Sequence, residues 1–221
     1  MTKNLYSDKT NSYFSLIRSD IIKLVPLGTK RILDVGCGSG LTGKKIKTSA
    51  GADFVAGIEL NEEAANSAKS NLDLVICGDI ETIDLDFKDK SFDCIICADV
   101  LEHLKDPWQV LVKLSEVLKA DGILIASIPN IRNIKPLIKI ILDKFEYETE
   151  GILDRTHLRF FTFHTIYKMF DECGFTIVKK TSNRIKNKTV RAINTLTLFL
   201  FKDFFITQHI IVAKKKKKGW L

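Results

Sequence analysis

The organisation of the chain turns on the decapeptide Arg31-Ile32-Leu33-Asp34-Val35-Gly36-Cys37-Gly38-Ser39-Gly40. Its first half is apolar around one carboxylate, the composition of a buried strand, and glycines then follow at alternate positions. Leu41 to about Ser49 continues as a helix. A strand that feeds a glycine loop and then a helix puts the loop at the carboxyl end of the strand, where open parallel sheets bind ligands. Glycines let the backbone pass close to a ligand at low steric cost. Two frames compete. Gly38-x-Gly40-x-x-Gly43 fits the dinucleotide pattern, which keeps a NAD-type dehydrogenase as an alternative. The frame that starts at Gly36 is favoured, because Gly36 directly follows the strand and Leu41 then stands where the dinucleotide pattern needs glycine or alanine.

The same rhythm repeats outward. Phe54 to Ile58 is a second strand ending at Glu59. Asn61 caps a helix with Glu62 and Glu63 in its first turn and Lys69 near its end, the charge order a helix dipole favours. Leu72 to Cys77, closed by Gly78-Asp79, is a third strand, and Phe92 to Ala98 a fourth. Asp106-Pro107 opens an amphipathic helix to Leu118, with Trp108, Leu111, Val112, Ser115 and Leu118 expected on its apolar stripe. Asp121-Gly122 reads as a turn, and Ile123 to Ile128 as a fifth strand stopped by Pro129. Ile134 to Phe145 reads as helix, Glu146 to Phe163 as loop, and His164 to Cys173 as a helix ended by Gly174. Phe175 to Lys180 and Gln208 to Lys214 are the sixth and seventh strands. Alternating strands and helices specify an α/β fold, a Rossmann-like doubly wound sheet in a single domain. Around the core at 29–183, the pattern gives an N-terminal helical segment at 1–28, an apolar helical insert at 184–206, and the last strand with a basic tail at 207–221. Apolar spacing at Phe14, Ile17, Ile21 and Leu24 predicts a helix over the acceptor site.

Three carboxylates close successive strands. Asp34 at the end of the first would repel a pyrophosphate and suits a cationic ligand. Glu59 can accept from both hydroxyls of a ribose, and Asp79 from an adenine amino group. Together the strings Ile32 to Gly40, Gly57-Ile58-Glu59, Gly78-Asp79-Ile80 and Phe92-Asp93-Cys94-Ile95-Ile96 resemble the class I S-adenosylmethionine-dependent methyltransferases, from about Arg31 to Lys215. The resemblance implies a seven-stranded, mostly parallel sheet with a reversed last strand beside the sixth, and S-adenosylmethionine as cofactor. It implies that Asp34, Gly36, Cys37, Gly38 and Gly40 hold the methionine part, Glu59 the ribose with Leu60 beside it, and Asp79 with Ile80 the adenine. Ala98 and Asp99 would line the same pocket.

Methyl transfer from a sulfonium is an in-line displacement that needs alignment, and an oxygen or nitrogen acceptor can also need a base. Asp99, Glu102 and His103 are candidates: on a helical turn they project together and face the acceptor. His157, in the string Asp154 to Thr162, is the other. The string Asp99 to Leu104 with Asp106-Pro107 resembles the ubiquinone-biosynthesis O-methyltransferases, and Asp154 to Thr162 resembles methyltransferases of surface-glycan pathways. Both imply a small-molecule or lipid- or glycan-linked acceptor, methylated at oxygen. The acidic-x-x-Glu-His spacing also resembles metal-dependent RNA 2′-O-methyltransferases, whose pattern would fall on Asp99, Glu102, His103 and His157, with Glu102, His103 and His157 as the ligand option; the favoured reading assigns no metal. A non-catalytic protein that binds S-adenosylmethionine is a further alternative.

The remaining features set limits. Of 221 residues, 45% are apolar and 28% charged, a globular balance that excludes disorder and disulfide scaffolds. Five of the seven net positive charges sit in one run, Lys214 to Lys218, so charge does not indicate a nucleic-acid face. Five scattered cysteines suggest free thiols in a reducing compartment, and Cys94 and Cys97 read as core residues rather than a chelating pair. No stretch reaches the length of a membrane span, and the expected location is cytoplasmic. Apolar residues at 190–205, with the lysine run, suggest peripheral contact with an anionic membrane. A monomer and a homodimer both fit.

Overall fold

The computed structural model describes residues 11–87, 92–184 and 200–216. β1 (Arg31–Val35) is the third strand across a seven-stranded sheet, with β2 (Phe54–Glu59) and β3 (Leu74–Cys77) on one side. On the other side come β4 (Phe92–Ala98), β5 (Leu118–Pro129), β7 (Ile206–Lys215) and β6 (Phe175–Arg184), in the order β3-β2-β1-β4-β5-β7-β6. β7 runs antiparallel to both neighbours, and the β1–β2, β1–β4, β2–β3 and β4–β5 pairings are parallel. The strand order reverses between β1 and β4, so a crevice opens outside their carboxyl ends, where such sheets bind ligands.

β1, β2, β4 and most of β5 and β7 are buried, which is why they read as nearly continuous apolar runs, whereas the edge strands β3 and β6 are half-buried or exposed. Leu33, Val35, Ile95 and Cys97 face a core closed by α5 (Pro107–Val117) and α7 (Phe163–Glu172). Ile32, Cys94 and Ile96 face a second core with Ile46 of α3 (Leu41–Ala50) and Ile21 of α2 (Ser19–Ile22). Cys94 and Cys97 therefore point to opposite faces, and both are free thiols. The Asn61 side chain caps α4 (Glu62–Ala68) by accepting from the Ala64 amide at 2.9 Å.

Four local expectations change. The buried stripe of α5 is Pro107, Val110, Leu111 and Leu114, while Trp108 and Val112 face outward. The stripe begins at Pro107 rather than at Trp108, and the Trp108 indole donates to Glu172 at 3.1 Å. β5 begins at Leu118, but its pairing with β4 jumps from Leu118 to Ile123, so Asp121-Gly122 makes its excursion inside a strand. The N-terminal helix is broken into two short turns, α1 (Asn11–Phe14) and α2, with an irregular crossing at 15–18. α6 (Ile134–Ile141) ends earlier than the pattern predicts. Most of the apolar insert, 185–199, and the end of the lysine run lie outside the described residues. The end of the insert that is described, Lys202–Phe205, is a 3-10 turn.

Candidate active site

A cavity of about 410 Å³ opens at the strand-order reversal. The turn after β1 builds its floor. Gly36 and Gly38 adopt φ of +69° and +54°, the left-handed region open to glycine. Side chains there would also collide: a Cβ on Gly36 would sit 2.6 Å from Val100 Cγ2, and one on Gly38 would sit 2.4 Å from the Phe14 carbonyl oxygen. The Gly36 and Cys37 amides donate to the Ile58 carbonyl at 2.8 and 3.1 Å, which ties the loop to β2. Gly40 does not line the cavity. It begins α3 at φ +78° and lets that turn pack against Ala68, Asn71 and Leu72.

The three strand-end carboxylates all line this cavity, as do Leu60, Ile80 and Ala98. Asp34 is 3% exposed, and no hydrogen bond or ion pair from a described residue reaches it. Burial first, then the charge of Glu59, pushes its pKa up to about 7. A carboxyl held in this way favours a cation placed beside it. Glu59 accepts from the Gly38 amide through Oε2 and from the Asn61 amide through Oε1, both at 2.8 Å, so loop and carboxylate brace each other. Burial raises its pKa also. Asp79 accepts from the Glu81 amide at 2.9 Å.

Asp99 also lines the cavity, at φ +57°, a conformation that Asp tolerates better than most residues. Its carboxylate is committed to other groups. Arg18 and Gln208 donate to it, and the Ser127 hydroxyl donates at 3.0 Å. The Arg18 guanidinium also bonds Ser127 and Gln208, each at 3.2 Å, and pairs with Asp20 at 3.0 Å. Asp20 in turn accepts from Asn183 at 2.9 Å. Asp99 is thus a hub that joins the N-terminal segment to β5, β6 and β7, and is not poised as a base. The N-terminal segment covers the cavity with Tyr13, Phe14, Leu16 and Arg18, and the Ser39 amide fastens it by donating to the Phe14 carbonyl at 2.8 Å.

Glu102 and His103 lie on a 3-10 turn, Leu101–His103. His103 lines the cavity, whereas Glu102 is 1% exposed and turns into the interior. The expectation that both face the acceptor gives way because a single short turn carries them in different directions. His157 stands behind His103, with ring centroids 4.7 Å apart. The loop that carries it is docked on the same turn: the Leu158 and Arg159 amides donate to the Glu102 carbonyl at 2.9 and 3.0 Å. His103 Nδ1 is bonded to the Thr156 carbonyl at 3.1 Å, and His157 Nδ1 to the Ile152 carbonyl at 3.0 Å. A carbonyl accepts only, so each Nδ1 carries the proton and each basic lone pair lies on Nε2. Among the described residues, neither carboxylate oxygen of Glu102 has a hydrogen-bond partner. Burial, followed by the charge of Asp99, holds its pKa well above the usual carboxylate range. Ligand atoms of Glu102, His103 and His157 lie within 4.8 Å of one another.

Arg18, Ser127, Gln208 and Tyr13 escape a reading of the sequence. The one signal for them is Ser127, a hydroxyl in an otherwise apolar buried strand.

Comparison with known proteins agrees with this architecture. Residues 33–126 match the methyltransferase-domain family. The chain is similar to a ubiquinone biosynthesis O-methyltransferase of Neisseria meningitidis serogroup A, with 31% identity over 58% of this chain and 55% of the relative. It is also similar to an uncharacterized protein of Methanocaldococcus jannaschii, with 29% identity over 94% of this chain and 84% of that one. The chain spans about half the length of the ubiquinone-biosynthesis relatives. A SAM-dependent methyltransferase structure from Methanosarcina mazei shares the fold at a TM-score of 0.66 and 20% identity, over 92% of this chain and 100% of that one.

Proposed function

We propose that this chain, which belongs to the class I S-adenosylmethionine-dependent methyltransferases through its domain at residues 33–126, methylates a hydroxyl oxygen of a small-molecule or lipid- or glycan-linked acceptor. The cofactor of this family, when bound, supplies a methyl group on a positively charged sulfur. Asp34 would face its cationic methionine end, Glu59 the ribose hydroxyls, and Asp79 with Ile80 the adenine. Gly36, Cys37 and Gly38 would admit it by their close backbone approach, and Leu60, Ala98 and Asp99 would complete the walls. This assignment rests on a fit between chemistry and structure. A buried carboxyl without a partner meets a cation, and the loop has no room for side chains where a ligand would lie.

The observation that carries the catalytic reading is His103. Among the described residues it is the imidazole on the cavity wall, with Nδ1 held by a backbone carbonyl. His103 would take the proton of the acceptor hydroxyl on Nε2. His157 would pack against the ring from behind, on a loop that the Glu102 carbonyl holds. A base of this kind contributes roughly 10²- to 10⁴-fold. The test is transfer of labelled methyl to a panel of phenols, glycosides and amines. Hydroxyl acceptors should be methylated, and His103→Ala should lose that activity while still binding S-adenosylhomocysteine. Equal turnover in the variant would end the assignment.

One observation favours a second reading, in which Glu102, His103 and His157 hold a divalent cation. Two imidazoles oriented by carbonyls beside a carboxylate without a hydrogen-bond partner are a chemically suitable donor set. The ion would neutralise Glu102 and polarise a nearby oxygen. Calorimetric titration of Mn²⁺ into protein loaded with S-adenosylhomocysteine tests it. Binding that is lost in His157→Ala supports the ion, and no binding leaves His103 as a metal-free base.

No described helix is long and apolar enough to cross a membrane. For a lipid-linked acceptor, α6 presents Ile138, Ile140 and Ile141 to solvent beside Lys135 and Lys139, a composition suited to an anionic surface. Sedimentation with anionic vesicles at low salt should carry the protein down, and protein left in the supernatant would remove the surface reading.

A further inference from the structure

On the opposite face of the sheet from the Asp99 hub lies a second, smaller cavity of about 250 Å³. Gln208 and His209 are neighbours on β7, so their side chains point to opposite faces. Gln208 joins the Asp99 and Arg18 network, while His209 lines the second cavity against Phe163, with ring centroids 5.3 Å apart. We infer that this cavity, bounded by Arg132, Lys180, His164 and His209, is a binding site for a phosphate group, separate from the cofactor site.

Charge comes first. Arg132 and Lys180 both reach the cavity, and among the described residues neither forms an ion pair. Aromatic rings hold their heads instead: the Arg132 guanidinium lies 5.0 Å from the Phe204 ring centre, and Lys180 Nζ lies 3.3 Å from that of Phe163. Asp203 also lines the cavity, so the lining holds two cations against one carboxylate. On Lys180 the opposite charge of Asp203 acts first, then the like charges of Arg184 and Lys202.

The second observation is His209. It is 2% exposed, and its Nδ1 has no hydrogen-bond partner among the described residues. A buried polar atom left this way is costly unless a ligand or water meets it. Burial and the neighbouring Lys180 hold its pKa down at about 4, so the ring is neutral at ordinary pH and can present one N–H donor. α7, ten residues long, begins at this cavity with Phe163 and His164, and its first-turn amides add a positive dipole end. Two cations on aromatic supports, a buried imidazole donor and a helix start are the groups that recognise a phosphate.

The test is calorimetric titration of the full chain, at low ionic strength, with inorganic phosphate and with glycerol 3-phosphate. Saturable binding of either should be weakened about tenfold in Arg132→Ala and in Lys180→Ala, with S-adenosylhomocysteine affinity unchanged in both. Tighter binding of the ester would mark the ligand as a phosphorylated molecule, and equal binding would mark free phosphate. NMR of the unaltered protein gives a readout that needs no variant: phosphate should move the His209 and His164 imidazole resonances and leave those of His103 and His157 in place. No binding of either probe, an equal response to added chloride, or unmoved His209 resonances would overturn the inference.

Discussion

At the cofactor end of the cavity, three successive strands each deliver one carboxylate, Asp34, Glu59 and Asp79, to one wall. Beside the part of the cavity that we propose for the acceptor, Arg18, Asp99, Ser127 and Gln208 meet although Arg18 and Gln208 are 190 residues apart in sequence. The first end is braced largely by backbone groups near the loop, as in the Gly38 and Asn61 amides that hold Glu59. The second is held by side chains from several distant elements. Changes at the cofactor end should therefore alter binding and leave the rest of the fold intact, whereas changes at the acceptor end should alter turnover or loosen the N-terminal cover.

His103→Ala should produce the largest effect. Turnover should fall by roughly 10²- to 10⁴-fold with cofactor affinity unchanged, as single-turnover methyl transfer and calorimetry would show. A parallel loss of cofactor affinity would dissolve the distinction between the two ends.

Arg18→Ala comes next. It removes a donor from Asp99, the partner of Asp20 and the fastening of the 13–18 cover. Loss of a partly buried pair that leaves Asp99 behind should lower stability by about 1–3 kcal/mol, read from the urea midpoint. Cofactor affinity should fall by less than it does in Asp34→Asn. The reverse order would mean that the cover, and not the carboxylate, governs binding.

The smallest effect belongs to Lys47→Ala. This surface pair with Asp73 lies away from both ends. Removing it should cost less than about 1 kcal/mol and leave cofactor binding unchanged; a larger shift would show that β3 is held from its outer edge.

The same contrast explains what the sequence discloses. β1 with its glycine loop, β2 ending at Glu59 and Asn61 capping α4 are local patterns, and each is found where the pattern places it. The reversed β7 follows from the family likeness and is observed beside β5 and β6. Arg18 carries no local mark, because its role depends on Asp99, Ser127 and Gln208 arriving from three other elements. Glu102 misleads for a related reason: helical spacing brings it beside His103, but one short turn sends it inward. Gly40 belongs to the loop by pattern, yet its work is to let α3 pack.

Asp34 offers the most direct test of the account. Its raised pKa means that the free protein gains stability from the neutral form at low pH and loses it as pH rises through about 7. A cationic cofactor reverses the preference, because it favours the ionised carboxylate. The measurement is calorimetric titration of S-adenosylmethionine at pH 6 and pH 8, in two buffers of different ionisation heat, for the unaltered protein and for Asp34→Asn. The account predicts tighter binding at pH 8, proton release at pH 6, and an Asn variant that binds about a hundredfold more weakly without pH dependence while melting higher than the unaltered free protein at pH 8. Binding that is independent of pH, or retained in the Asn variant, would contradict it.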